Sequence, residues 1–184
     1  MTSRRRTLIY AGVVAAQVGA LAYAARWAED RAALGHTDPL GWQPFPWPFP
    51  PEPWPAGRAW TGDDHDVYVQ VKPGLCGDCQ TEVLSDEAVD LAVDIRRLDP
   101  RFEPVGPGSR IRITDLFGRT RTYRHKRHNG SLRYAEGVAF TYKCDLIVAI
   151  VDGNVSDPQK RKAGRDFLES NTPQVWLLKQ LEGR

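Results

Sequence analysis

Cys144-Asp145-Leu146-Ile147-Val148-Ala149-Ile150-Val151 is the most continuous apolar run in the part of the chain after Thr61. A strand apolar at successive positions, not at alternate ones, is covered on both faces, so this run predicts the central strand of a sheet. Downstream, Asp157 reads as an N-cap with Pro158 at the first helical position, and Ala163, Phe167 and Leu168 face inward. Asn171 ends that helix, and Gln174-Val175-Trp176-Leu177-Leu178 reads as a last strand. A strand–helix–strand unit of this kind is expected to be parallel and right-handed. Upstream, Val138–Tyr142 reads as another strand. Arg110–Thr114 and Thr120–Arg124 read as a hairpin around Asp115–Arg119, with Gly118 at a positive φ. Ser85 caps a helix with Asp86 and Glu87 in its first turn and Ala88, Leu91, Ala92, Ile95 and Leu98 on its buried face; Asp99-Pro100 stops it. Val67–Val71 alternates and is β-branched, so it is a strand. The expected fold class is a single small α+β (or α/β) domain, a mixed sheet with two main helices. No internal repeat is visible.

The chain has 184 residues, a formal net charge of +2 and 26% charged residues. That composition is globular, and any basic binding surface must be local, since the whole molecule is not a polycation. The predicted organisation is 1–28, a membrane helix; 29–60, a stalk; and 61–184, the α+β domain.

Arg4, Arg5 and Arg6 precede an uncharged run from Leu8 to Ala25. As a helix this run is about 27 Å long, enough for a bilayer core, and the arginines favour a cytoplasmic N-terminus. The expectation is a retained signal-anchor in a single-pass membrane protein, its C-terminal domain extracytoplasmic. A buried core helix is the other reading of the run. Arg5-Arg6-Thr7-Leu8-Ile9 resembles a twin-arginine export signal, and Ala22-Tyr23-Ala24 has the small-x-small form of a cleavage site. Between Asp38 and Trp60 stand Pro39, Pro44, Pro46, Pro48, Pro50, Pro51, Pro53 and Pro55, with Trp42, Trp47, Trp54 and Trp60 among them. Proline fixes φ and removes a donor, so an extended, semi-rigid stalk is expected. Its indoles would sit at lipid headgroups, pack on the domain, or be displayed to a partner.

Cys76, Cys79 and Cys144 are the three cysteines. The pair Cys76-Gly-Asp-Cys79 follows a strand and precedes a helix, and Thr172-Pro173-Gln174-Val175-Trp176 precedes the expected last strand. Together these resemble the thioredoxin-like superfamily. The resemblance implies Cys76 as attacking thiol, Cys79 as resolving thiol and Pro173 as a substrate-contacting cis-proline. Other readings are a structural disulfide, Cys76 with Cys79 or one of them with Cys144, and a zinc site of Cys76, Cys79, His125 and His128. No cofactor is expected. Arg110, Arg112, Arg119, Arg121, Arg124, His125, Lys126, Arg127, His128 and Arg133 crowd one stretch, either as a solvated strand face or as a docking surface for an anion. Val151-Asp152-Gly153-Asn154 lies at the C-terminal end of an expected parallel strand, where α/β folds place ligands, but a tight turn explains the same residues and is the preferred reading.

The function expected is a membrane-tethered extracytoplasmic accessory or interaction domain without catalysis. It would dock a protein or anionic envelope partner through the basic hairpin (Arg110, Arg112, Arg119, Arg121, Arg124, Lys126, Arg127) and the stalk (Trp42, Trp47, Trp54). Such a protein would suit a subunit of a larger membrane assembly. The alternative is an extracytoplasmic thiol–disulfide oxidoreductase using Cys76 and Cys79, so catalysis stays open. No base-stacking or groove-reading motif supports nucleic acid.

Overall fold

The computed structural model describes residues 17–25, 34–74, 84–153 and 157–182. The chain divides into two compact units, Met1–His36 and Thr37–Arg184. In the first, α1 is helical over 17–25, and residues 1–16 and 26–28 of the expected anchor lie outside the described residues. Among the described residues no helix is long and apolar enough to cross a membrane. The expected single-pass anchor is corrected on that ground, and the topology and compartment drawn from it lose their basis.

The second unit is built on one sheet of eight strands: β1 (Gln43–Phe45), β2 (Arg58–Thr61), β3 (His65–Lys72), β4 (Glu103–Pro104), β5 (Ser109–Ile113), β6 (Leu116–Lys126), β7 (Leu132–Tyr142) and β8 (Asp145–Gly153). Their order is β1-β2-β3-β8-β7-β6-β4, with β5 also on β6. Every pairing is antiparallel. The expected mixed sheet with a parallel unit is therefore corrected. Three helices complete the unit: α2 (Asp86–Val93), α3 (Pro158–Glu169) and α4 (Asn171–Glu182). The predicted last strand, 174–178, lies inside α4. Pro173 is tolerated in that helix's first turn, where its missing N–H has no intrahelical partner to lose. Buried Pro173 and Leu177, four residues apart, lie on one helical face.

β8 lies between β3 and β7, and every residue from Leu146 to Asp152 is buried. One face of the sheet packs Val67, Val69, Val138, Phe140, Ile147 and Val151 against Phe167 and Leu168 of α3 and Leu177 of α4. The opposite face packs Tyr68, Tyr123, Leu146, Val148 and Ile150 against Val89, Ala92 and Val93 of α2.

The extended stalk is also corrected. Residues 37–60 belong to the domain, supply β1 and most of β2, and cover both sheet faces. Trp42 is 7% exposed and stacks on Phe167 with ring centroids 4.3 Å apart; Trp60 is 2% exposed and meets Phe167 edge-on. On the other face Trp47 and Phe49 pack on Tyr68. Glu52 pins this segment, accepting from Gln70 Nε2 at 3.1 Å and pairing with Arg97 at 2.5 Å. Burying an indole of 150–250 Å² is worth about 4–6 kcal/mol before entropy is counted, so the segment gains more on the sheet than extended in water.

α2 is capped as expected, the Ser85 hydroxyl accepting from Ala88 N–H at 3.1 Å. It stops early because Asp94 takes φ 44°, and a 3-10 turn, Ile95–Arg97, follows. Leu91 points out, 83% exposed, and Val89 and Val93 take the buried positions assigned to it and Ala88. The β5–β6 hairpin reverses at Thr114-Asp115, where Thr114 has φ 51°. Gly118 instead lies within β6, and a Cβ there would stand 2.2 Å from the Ala139 carbonyl oxygen of β7. Close strand approach, not a turn, requires the glycine.

Replacing Trp60 with Ala is expected to cost about 3–5 kcal/mol in urea unfolding, through lost transfer energy and the cavity left against Phe167. Asp86 tests the clamp between α2 and β6. Its carboxyl is held down at about 2, first by the hydrogen bond from Arg119, then by Gly108 N–H and the Arg121 charge. A carboxyl depressed on folding adds stability above its unfolded value of about 3.9 and loses it as pH falls toward the folded value. The stability gap between the native protein and Asp86→Asn should therefore be present at about pH 6 and shrink between about pH 4 and 2.

Candidate functional site

β6 ends at Lys126 and β7 begins at Leu132, joined by a turn closed by Arg127 N–H on the Ser131 carbonyl at 2.8 Å. Gly130 takes φ 83° there, and Asn129 Oδ1 accepts from Ser131 N–H and Oγ–H. Strand alternation aims Tyr123 and His125 at the α2 face of the sheet and Arg124 and Lys126 at the other. His125 lies directly opposite Arg133 of β7. Beyond the 3-10 turn, Asp99 accepts from Arg101 N–H at 2.9 Å, folding the chain so that Phe102 is buried edge-on to the His125 ring at 4.7 Å. Arg101, His125, Arg127, His128, Asn129 and Arg133 thus surround an open recess of about 360 Å³.

Two guanidiniums of this recess are clamped by acids. Arg101 donates through Nε and Nη2 to Asp99 at 2.9 and 2.7 Å. Arg133 grips Asp152 the same way, Nε to Oδ1 at 3.0 Å and Nη2 to Oδ2. Arg101 holds the Asp99 carboxyl well below the usual carboxylate range. For Asp152, 3% exposed, burial pushes the carboxyl up while Arg133 opposes it. A guanidinium carries five N–H donors and each clamp uses two, which leaves three apiece. His125 is 4% exposed and neither ring nitrogen has a hydrogen-bond partner. Its Nε2 stands 3.6 Å from Asp99 Oδ2, too far for a hydrogen bond.

The basic residues expected on one docking face are divided among several jobs. Arg119 and Arg121 bind Asp86, Arg121 also reaches Asp90, and Arg112 pairs with Asp115. These are anchors for α2 and the β5–β6 turn. Among the described residues Arg110, Arg124, Lys126, Arg127 and His128 make no salt bridge, and all are exposed. Trp42 is core, while Trp47 and Trp54 are half-buried in the segment packed on the domain, so none is displayed from a stalk. Cys76 and Cys79 lie outside the described residues, and Cys144 is disulfide-bonded. Pro173 is buried within α4. His125 is buried while His128 is exposed in the turn, and among the described residues no cluster of His, Cys, Asp or Glu is placed to hold a metal.

The sequence points to no site at Asp99 or Arg101, and at Asp152 it favours a turn over a ligand position. Asp152 reads as part of a turn, yet it is the buried end of β8 and orients Arg133. The spacing Asp99-x-Arg101 just after a helix stop is a local cue, but nothing in it shows that β6 returns beside it. Two other recesses are weaker candidates. One of about 300 Å³ is lined by Trp42, Asp63, Asp64, His65 and Lys160, and its lysine is already paired with Asp64. The other, between Trp47, Tyr68 and Val93, offers about 20 Å³, room for roughly one water.

Asp152→Asn is expected to cost about 2–3 kcal/mol in urea unfolding, because it leaves the half-buried Arg133 without its carboxylate. Combining it with Arg133→Gln should recover part of that loss. Among comparisons with known proteins, no family model and no curated protein matches the chain. A crystal structure of the Pseudomonas aeruginosa protein PA94, of unknown function, is similar at 12% identity with a TM-score of 0.41, covering 72% of this chain and 96% of that one.

Proposed function

We infer that the Thr37–Arg184 unit is a non-catalytic binding module that docks an anionic partner through the cationic end of the β6–β7 hairpin. One observation carries the reading. Arg119, Arg121 and Arg112 are neutralised within the domain, whereas Arg127 and His128 make no salt bridge among the described residues and line a recess that also holds Arg101 and Arg133, with the exposed Arg124 and Lys126 on the opposite face of the same strand end. Among the described residues, cations without an acidic partner therefore gather around the β6–β7 turn. Such a patch attracts anions and speeds their encounter. The recess is lined by guanidinium, imidazole and amide groups, with no hydroxyl, thiol or carboxylate nucleophile among them. That set suits holding an anion more than transforming one.

Heparin resin, a polymeric anion, tests the reading. At about 50 mM salt, where exposed charges are weakly screened, the native chain should be retained. The pair Lys126→Ser and Arg127→Ser should elute at clearly lower salt. Arg112→Ser, which removes a charge already facing Asp115, should elute with the native chain. Equal elution of all three proteins would remove the hairpin end as the docking surface.

A further inference from the structure

We propose that the recess recognises a phosphate monoester on a small molecule, with the phosphate seated between Arg101, Arg127 and Arg133. This rests on the reading of the hairpin end as an anion site and adds the chemical class of its ligand.

The donors of the recess match the acceptors of one class of anion. Arg101 and Arg133 each retain three N–H donors after their clamps, and Arg127 makes no salt bridge among the described residues. The His128 ring and the Asn129 amide add donors at the rim. A carboxylate offers two oxygens, as does a phosphodiester at its unesterified positions. A phosphate monoester offers three strong acceptor oxygens and carries about −1.5 to −2 charge near pH 7. Of these three, the monoester is the best match in charge and in acceptors for donors spread over three separate chain segments: the loop after α2, the hairpin turn and β7.

Charge points the same way. Three guanidiniums face two carboxylates, Asp99 and Asp152, so the recess stays cationic. The carboxylates also fix two of the forks before any ligand binds. A bidentate grip on phosphate then costs less side-chain entropy than it would from mobile arginines. Finally, the buried His125 makes no hydrogen bond through either nitrogen, Nε2 standing 3.6 Å from Asp99. Buried polar groups are seldom left so, and an oxygen of a bound phosphate would supply an acceptor.

Size limits the ligand. A recess of about 360 Å³ lies at the lower end of small-molecule sites. The charge gathers around one turn and does not run as a track, because Arg119 and Arg121, farther along β6, are already neutralised. No Phe, Tyr or Trp lines the recess for bases to stack on.

Calorimetric titration of the full chain with phenyl phosphate, dimethyl phosphate and benzoate at fixed ionic strength tests the proposal. Phenyl phosphate should bind about tenfold or more tighter than either of the others. Arg127→Gln, an exposed change that leaves the fold intact, should weaken it about tenfold. His125→Phe, which keeps a ring beside Phe102, should weaken the monoester several-fold while leaving benzoate unchanged. Equal or tighter binding of dimethyl phosphate or benzoate would overturn the monoester assignment, as would tighter binding of a short single-stranded oligonucleotide. If phenyl phosphate fails to bind while heparin retention persists, this proposal falls and the broader anion-docking reading stands. If both fail, both fall.

Discussion

The burial of β8 on both faces is the constraint from which the rest of the domain follows. Leu146 to Asp152 present side chains alternately to two sides of the sheet, and all of them are buried. Each side therefore needs a cover. α3 and α4 cover one, joined by Trp42 and Trp60; α2 covers part of the other, with Trp47 and Phe49 over the remainder. The proline-rich segment is accordingly a structural layer. Proline suits it because the segment needs little hydrogen bonding of its own and gains from a stiff, extended backbone that carries indoles onto a sheet.

The same constraint creates the site. β8 carries its apolar run one residue too far for comfort and buries Asp152 at its end. A buried carboxylate is tolerable only when it is paired and hydrogen-bonded. Arg133, one strand over, meets that need and is oriented by doing so. Asp99 does the same for Arg101 from outside the sheet. The cationic recess is thus positioned by two acids that neutralise only part of its charge, with His125 between them.

The division of the arginines shows why a basic stretch is a poor guide to a basic surface. Positions two apart on β6 share a face, so Arg119 and Arg121 both meet α2. Because α2 begins with Asp86 and carries Asp90 one turn later, these charges bind helix to sheet. Arg124 falls on the other face, and Arg127 falls past the strand end, so neither reaches α2. A one-residue change in register would have reversed these roles.

Much of the local structure was legible in the residues themselves. The Ser85 cap, the Asp157-Pro158 helix start, the strand around Val67–Val71 and the central position of 145–153 follow from short-range physics: capping, proline geometry and hydrophobic periodicity. Strand direction was not legible, because a continuous apolar run reports coverage on two faces and is silent about which way the neighbouring strand runs. Val175–Leu178 could be helix or strand by pattern alone, and packing of Leu177 and Trp176 against the sheet and Trp60 decided for helix. The indoles of the proline-rich segment and the partners of each arginine were beyond reach for the same reason. Burial and ion pairing depend on residues distant along the chain, brought together only when the antiparallel sheet sets its register.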